Sequence, residues 1–413
     1  MDLLIKNATV RGETDSVDIG IDGDYVESVR PEIDDTGAVE VDAAGGLVLP
    51  SFVDAHTHLD KAYFADLAEP PTTGTLPELI ELTGQIKQDL TVADVRNRIE
   101  RATREAVANG TTKIRTHLDV GAVWEHTSVE ASLDAKAELS DLADIQTVAM
   151  PQVRSGEPEG LTEADIDRLE TALEMGVDAV GGEPNKEDTD ELERATIDEY
   201  FRLAAAYDAE IDLHADGLNS ATARTAEYVA RKTIDEGMEG RVQVGHVSAL
   251  SYYDEWHRRD VIDLFDRAEL NVVTTPKEDQ IVADHDTTAV SELLDAGVTL
   301  SVGHNNIAGT ISPFGSLDML EPAWLLAHVA GLRSPTDVAD LLDSITHSPA
   351  NAIGLEEYGL APGCRADLTV CAESDPMELL RTRRPRPAVI KSGEVVASSS
   401  ASTTVGLEGD HGV

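Results

Sequence analysis

The chain has 413 residues and is strongly acidic, with 79 Asp and Glu against 32 Lys and Arg and a formal net charge of −47. A field of that sign repels phosphate groups instead of releasing counterions, so nucleic acid and anionic membranes are excluded as expected partners. Hydrophobic residues make up 41% of the chain, which argues against intrinsic disorder as the cause of the charge. Because acidic residues occur in every segment, we interpret the charge as adaptation of the whole surface to a salt-rich cytosol, where screening weakens the repulsion between carboxylates.

The cysteines and the apolar runs narrow the class of protein further. Only two cysteines occur, Cys364 and Cys371, which excludes a disulfide framework and a multi-cysteine zinc site. The first residues lack the basic segment and apolar core of a signal peptide, and no uncharged apolar run has the length of a membrane span. We therefore expect a cytoplasmic protein.

Taken in chain order, residues 1–49 contain short strand-like runs separated by turn signals such as Asp22-Gly23-Asp24. These runs are Leu3–Ile5, Ser16–Ile21, Tyr25–Val29 and Ala38–Val41. They are too few for a complete sandwich, and similar runs recur within residues 355–397, at Asp367–Val370, Pro387–Ile390 and Glu394–Ala397. We predict one small β-sandwich domain formed by both termini, followed by a disordered Ser-rich and Gly-rich tail over residues 398–413.

Residues 50–354 alternate strand-like runs with longer helical patterns, the order typical of an α/β protein with a parallel sheet. The strand-like runs are Leu47–His56, Thr112–His117, Ile145–Gln152, Val177–Gly181, Glu210–His214, Arg241–His246, Asn271–Thr275 and Thr299–His304. Helical patterns include Thr91–Ala108, Glu163–Glu174, Asp198–Tyr207 and Thr288–Ala296. Eight strands predict a (β/α)8 TIM-like barrel, with the small β-sandwich domain beside it.

Six histidines fall at or near the C-terminal ends of these runs, the rim at which such barrels carry their active sites. They are His56, His58, His117, His214, His246 and His304. His56 and His58 are two residues apart, so both imidazoles point to the same side of a strand. Neutral imidazole is the commonest protein ligand for metal ions. A single strand-end histidine is more often structural, but six together indicate a metal site.

We predict that His56, His58 and His214 hold one divalent metal ion. Such an ion would lower the pKa of a bound water molecule to about 7 and supply a nucleophile for deamination or amide hydrolysis. His246 could hydrogen-bond that water and orient it, which makes it a candidate catalytic residue. Gln152 offers a donor and an acceptor to the edge of a polar heterocyclic substrate, and an ordinary solvated glutamine is the alternative.

These motifs, in this order, resemble the amidohydrolase superfamily, and within it the bacterial-type cytosine deaminases and triazine aminohydrolases. The resemblance covers about residues 2–397 and includes His56-Thr57-His58-Leu59-Asp60, Arg115-Thr116-His117-Leu118-Asp119, Pro151-Gln152, Asp212-Leu213-His214-Ala215-Asp216, Gly245-His246 and the stretch from Gly303 to Leu320. It implies a mononuclear iron or zinc site and a small heterocyclic substrate contacted by Gln152. Family members commonly oligomerise, so a homo-oligomer is one expectation.

Two positions depart from that family pattern. Gly217 stands three residues after the third ligand histidine, where the family has a glutamate that shuttles a proton. Asn305 stands at the end of the eighth strand, where the family has an aspartate that binds metal and accepts a proton. An amide can bind metal through its oxygen but cannot accept a proton. Asn306 is a candidate substrate contact, and the residues that could take over proton transfer are Asp216, His246, His304 and Glu183.

The leading hypothesis is a metal-dependent hydrolase of a non-peptide C–N bond, similar to cytosine deaminase, that releases ammonia from a cyclic amidine. The first alternative is a catalytically impaired protein of the same fold that binds a nucleobase-like ligand. The second is an amidohydrolase with another substrate, such as an amide or a lactam. Gly217 and Asn305 are the residues that favour the alternatives.

Molar salt should stabilise the folded protein. Raising the ionic strength from about 0.1 M to about 1 M shortens the Debye length from about 10 Å to about 3 Å, which weakens repulsion among the surplus carboxylates. We expect the urea midpoint of unfolding, followed by circular dichroism, to rise with KCl concentration. Equal midpoints at the two ionic strengths would contradict the halophilic interpretation.

Overall fold

The computed structural model describes residues 1–151, 160–282 and 287–402. Within these ranges the strands are β1 (Leu3–Ala8), β2 (Val17–Asp22), β3 (Tyr25–Arg30), β4 (Val39–Asp42), β5 (Val48–Pro50), β6 (Phe52–Thr57), β7 (Thr111–Val120), β8 (Asp144–Pro151), β9 (Ala179–Gly182), β10 (Glu210–Ala215), β11 (Val242–His246), β12 (Asn271–Thr274), β13 (Leu300–Val302), β14 (Leu368–Val370), β15 (Ala388–Lys391) and β16 (Glu394–Ala397). The helices are α1 (Leu76–Lys87), α2 (Val92–Ala108), α3 (Thr127–Glu138), α4 (Glu163–Met175), α5 (Asp190–Tyr207), α6 (Thr225–Glu236), α7 (Glu255–Arg267), α8 (Pro276–Val282), α9 (Val290–Ala296), α10 (Leu320–Val329), α11 (Pro335–Asp343), α12 (His347–Ala352) and α13 (Pro376–Thr382).

Strands β6 to β13 form one eight-stranded parallel sheet in sequential order. Its two edges meet where Thr57, at the end of β6, bridges to Asn305, just after β13. The Asn305 N–H also donates to the His56 carbonyl at 2.9 Å. The sheet is therefore a nearly closed barrel, which confirms the predicted (β/α)8 fold.

One predicted barrel strand, Leu47–His56, is wrong as a single element. The run divides at Ser51 into β5, which pairs antiparallel with β14, and β6, which pairs parallel with β7. Pro50 ends β5, because proline has no N–H with which to continue a hydrogen-bond ladder. Both pieces are buried along their whole length, so the hydrophobic pattern runs through the break without marking it.

The helices follow the local signals of the sequence, with one large difference at a start and a difference of two residues at the start of α9. Thr91 caps α2 through a reciprocal capping box, as its position before the apolar pattern predicts. Helix α5 begins at Asp190 instead of Asp198, because Thr189 caps it and acidic residues in its first turn favour the positive end of the helix dipole. Within the described ranges, no helix is both long enough and apolar enough to cross a bilayer.

The two termini build a sandwich of two four-stranded sheets. One sheet has the order β3-β2-β1-β4, and in the other β5 joins the C-terminal strands in the order β16-β15-β14-β5. Side chains from both sheets share one core, which includes Leu3, Ile19, Val48, Leu368 and Ile390. This confirms the predicted β-sandwich. The division of the chain into residues 1–49, 50–354, 355–397 and 398–413 stays a prediction, and residues 403–413 of the predicted tail lie outside the described residues.

Four charged side chains join the barrel to the terminal domain. Lys113 of β7 contacts Asp144 and lies 2.5 Å from Asp367, while Lys391 of β15 lies 3.2 Å from Asp144 and 3.5 Å from Asp367. Lys113, Lys391 and Asp367 are buried, whereas Asp144 is 49% exposed. Burial opposes the charged form of Lys113, but Asp367 and Asp144 raise its pKa on balance. Two buried cations therefore depend mainly on Asp367.

Asp367→Asn should lower the free energy of unfolding by about 3 kcal/mol, because it leaves buried ammonium groups with one half-exposed carboxylate. Asp24→Asn is the matched control, since Asp24 pairs with Arg365 at the surface at 3.1 Å and is 52% exposed. Its loss should change stability by less than about 1 kcal/mol. Urea unfolding of both variants measures the difference, and equal stabilities would show that this cluster does not join the two domains energetically.

Candidate active site

Four histidines from three strands meet at the C-terminal end of the barrel. His56 lies in β6, His58 follows that strand directly, and His117 and His214 lie in β7 and β10. One ring nitrogen from each lies within 4.8 Å of the others, and the Nε2 atoms of His58 and His214 are 3.1 Å apart. All four side chains are buried. Imidazole nitrogens that converge on one point form the geometry of a metal site.

The protonation state of these rings suits metal binding. Burial, followed by neighbouring histidines and, for His56 and His58, by nearby cations, lowers the pKa of His56, His58 and His214 well below the ordinary value. These three rings are therefore neutral near pH 7, which is the form that binds metal ions. Both ring nitrogens of His56 and of His117 lack hydrogen-bond partners within the described ranges. Because unpaired buried polar atoms are costly, the residues fit a divalent ion that accepts their lone pairs.

A buried ion pair lies against the histidines. Asp212 precedes His214 by two residues in β10 and so shares its side of the strand. One Asp212 oxygen lies 3.3 Å from Nε2 of His117 and 3.9 Å from Nδ1 of His56. The other lies 3.7 Å from the Arg115 guanidinium. The Asp212 charge therefore lies beside both rings, although the oxygen nearest them, Oδ1, has no hydrogen-bond partner among the described residues.

The structure brings together the three predicted ligands, His56, His58 and His214, and adds His117. Sequence reasoning placed His117 at a strand end but assigned it no role. The position of His117 near the end of a strand could have identified it, because β6 and β7 are parallel neighbours whose C-terminal ends meet. Asp212 was also missed, although its spacing from His214 marks it in the same way.

His246 ends β11 beside this cluster. Its ring centroid lies 5.3 Å from that of His214 and 5.6 Å from that of His56. Its Nδ1 lies 3.1 Å from Asp279 and 3.0 Å from the Thr275 hydroxyl. Burial lowers the pKa of His246, but the hydrogen bond and charge of Asp279 raise it on balance. The ring is therefore held in one orientation, and its catalytic role stays a prediction.

Asp216, the other predicted catalytic residue, acts as a cap for helix α6. Its two carboxylate oxygens accept hydrogen bonds from the backbone N–H groups of Thr225 and Ala226, at 3.0 and 2.9 Å. Its side chain is fully buried, and burial raises its pKa despite these bonds. The contacts give Asp216 a structural role, so proton transfer by Asp216 stays a prediction that they do not support.

The end of the eighth strand carries two asparagines with different contacts. The Asn305 carbonyl accepts from the His58 N–H at 3.1 Å, and its buried Oδ1 has no hydrogen-bond partner within the described part of the chain. The metal-ligand role of that oxygen stays a prediction. Asn306 donates from Nδ2 to Glu278 Oε1 at 3.1 Å. Gln152, the other predicted substrate contact, lies outside the described residues.

Three glycines leave space for the histidine rings. A Cβ at Gly245 would lie 2.8 Å from Cε1 of His56, and one at Gly303 would lie 2.8 Å from its Cβ. A Cβ at Gly217 would lie 3.2 Å from Cβ and Cγ of His246. A glutamate at position 217 therefore requires His246 to shift by a few tenths of an ångström. The observed position of His246 therefore depends on the absence of a side chain at Gly217.

Comparison with known proteins shows that an amidohydrolase family profile matches residues 78–397. The chain belongs to the amidohydrolase family. This amidohydrolase is 33% identical over 401 residues to the N-isopropylammelide isopropyl amidohydrolase of Pseudomonas sp. strain ADP, with 96% of this chain and 97% of that protein covered. It is also similar to two solved structures. The 5-methylcytosine deaminase of Klebsiella pneumoniae with 5-fluorocytosine has a TM-score of 0.90 and 26% identity, covering 97% of this chain and 99% of that one. The N-isopropylammelide isopropylaminohydrolase of Burkholderia multivorans has a TM-score of 0.85 and 29% identity, covering 96% and 99%.

His214→Ala should abolish stoichiometric metal binding by this amidohydrolase. The substitution removes one of the converging nitrogens, whereas His328→Ala changes an exposed histidine of α10 and serves as the control. We expect about one divalent ion per chain in the unaltered protein and in the control by plasma mass spectrometry. Added metal should raise the thermal midpoint of those two proteins only, because an ion that binds the folded state stabilises it. Full metal content in His214→Ala would contradict the site.

Proposed function

We propose that this amidohydrolase hydrolyses an exocyclic C–N bond on a pyrimidine-like or triazine-like ring and releases ammonia or a small alkylamine. The observation that carries the proposal is the buried cluster of His56, His58, His117 and His214 at the barrel rim, with its unpaired ring nitrogens. The substrate class is supported by the names of the relatives, a 5-methylcytosine deaminase and two N-isopropylammelide hydrolases. Cytosine and ammelide are both six-membered nitrogen rings with exocyclic nitrogen.

The residues of the chain have two kinds of role: some would hold the metal ion, and others would orient the water molecule or the substrate. A divalent ion, iron or zinc, supplies Lewis acidity when bound and lowers the pKa of a water molecule. Asp212, balanced by Arg115, places a negative charge beside the imidazoles of His56 and His117. His246 uses Nδ1 on Asp279, so its Nε2 remains for the attacking water or the substrate.

The edge of the substrate ring would be bound by amide side chains. Asn306, beside the closing strand of the barrel, is held by Glu278 and keeps its own Oδ1 as an acceptor for a ring N–H. Gln152, which lies outside the described residues, is the second predicted substrate contact. Amides suit this task, because each offers both a donor and an acceptor to a heterocycle with alternating polarity.

The second candidate function is ligand binding without efficient turnover. Gly217 and Asn305 favour it, since neither can accept or donate the proton that C–N hydrolysis moves. Restoring the family glutamate is opposed by the close contact of position 217 with His246. The two candidates therefore share a binding site and differ in proton transfer.

Amine release from metal-loaded protein in high salt tests the proposal. The substrates are cytosine, 5-methylcytosine, isocytosine, creatinine, N-isopropylammelide and triazine amines, with ammonia and alkylamine quantified. We expect turnover of at least one six-membered ring, and a loss of about 10²-fold to 10⁴-fold in kcat for His246→Gln at unchanged metal content.

The opposite result separates the two candidates. If the protein contains stoichiometric metal but releases no amine from any substrate, the proposed hydrolase activity is wrong. If the same compounds then raised the thermal midpoint of unfolding, ligand binding without turnover would be the function instead. Only compounds that bind the folded state raise this midpoint. The exposed-site variant His328→Ala should behave as the unaltered protein in every assay.

A further inference from the structure

Glu278 is a buried carboxyl group at the mouth of the barrel that the proposed function has used only to hold Asn306. It lies in the first turn of α8, directly after β12, and its side chain is 3% exposed. One oxygen, Oε1, accepts the hydrogen bond from Asn306. The other, Oε2, is buried and has no hydrogen-bond partner within the described ranges.

Among the described residues, no cation is hydrogen-bonded to this carboxyl group. The neighbouring Lys277 donates instead to the backbone carbonyls of Asn306 and Phe314, at 2.6 and 2.9 Å. Burial raises the pKa of Glu278 above its ordinary value, although the charges of Lys277 and His246 and the Asn306 bond oppose the rise and Asp279 adds to it. A carboxyl group whose pKa is raised accepts a proton more readily than an exposed glutamate and can return it in a later step.

Of the other candidates for proton transfer at this rim, His246 and His304 are held through Nδ1 by Asp279 and Asp54, at 3.1 and 2.8 Å, and four further positions are occupied or unable. Gly217 has no side chain, and the amide of Asn305 cannot accept a proton. Both oxygens of Asp216 cap α6. Glu183 forms an ion pair with Lys186 at 2.9 Å. By contrast, Oε2 of Glu278 has no hydrogen-bond partner among the described residues, and Oε1 accepts a hydrogen bond from Asn306, the residue after Asn305.

We propose that Glu278 performs the proton transfer for which Gly217 and Asn305 are unsuited. This inference rests on the proposed C–N hydrolysis. As the water oxygen bonds to the ring carbon, the π pair of the ring C=N bond moves onto the ring nitrogen, and one water proton passes to the Glu278 carboxylate. The pair on the ring nitrogen then re-forms the C=N bond while the exocyclic C–N bond breaks with its electron pair on the leaving nitrogen, and Glu278 returns the proton to that nitrogen. The amine leaves neutral, and the carboxylate is regenerated.

Glu278→Gln tests the inference, because it keeps the shape and the Asn306 contact but cannot carry the proton. We expect kcat to fall by at least about 100-fold with unchanged KM and metal content, and Glu278→Asp to retain an intermediate kcat. Glu193→Gln is the matched control: burial raises the pKa of Glu193 to about 7, yet this residue lies in α5 outside the site. Its kcat should equal that of the unaltered protein.

Infrared spectroscopy supplies a readout that does not depend on turnover. Subtracting the Glu278→Gln spectrum from that of the unaltered protein should reveal a carboxyl C=O band that titrates above the ordinary glutamate range of about 4.3. Undiminished kcat in Glu278→Gln, or a residue 278 carboxyl that ionises in the ordinary range, would overturn the role of Glu278 alone. Absence of amine release by the unaltered protein would overturn the proposed function and this role together. If Glu278→Gln fails to fold, the kcat and spectrum of Glu278→Asp decide.

Discussion

The candidate site depends on keeping several imidazoles neutral, buried and aimed at one point. Burial removes the charged form of His56, His58 and His214, and it also leaves ring nitrogens without water. That arrangement is costly unless a ligand takes up the lone pairs. The packing at the top of the barrel, with bare glycines against His56 and Asp212 behind it, serves this single requirement.

Closure of the barrel and assembly of the site use the same hydrogen bonds. Asn305 exchanges backbone bonds with His56 and His58, and these bonds join the last strand to the first. A change that opens this seam would therefore also separate the histidines. The coupling explains why the first and last strands, remote in sequence, contribute neighbouring residues to one centre.

The departures from the family pattern, Gly217 and Asn305, both lie in close contact with histidines of the site. A Cβ at Gly217 would lie 3.2 Å from Cβ and Cγ of His246, so the missing glutamate coincides with close packing of His246. On the other side, Glu278 presents a buried carboxyl oxygen near the asparagine pair. A carboxyl group that could transfer a proton at the rim therefore lies in α8, outside the family motifs that the sequence contains.

The sequence by itself determined the barrel, the sandwich of both termini and three converging histidines, because strand periodicity and the spacing of His56 and His58 are local properties. Only the tertiary structure decided the break at Ser51, the fourth histidine His117 and the capping role of Asp216. Each of these depends on which strand or helix lies beside the residue, and a buried apolar run or an isolated side chain carries no record of its neighbours. The same reason hid Glu278, whose burial and free oxygen exist only once α8 packs over the barrel mouth.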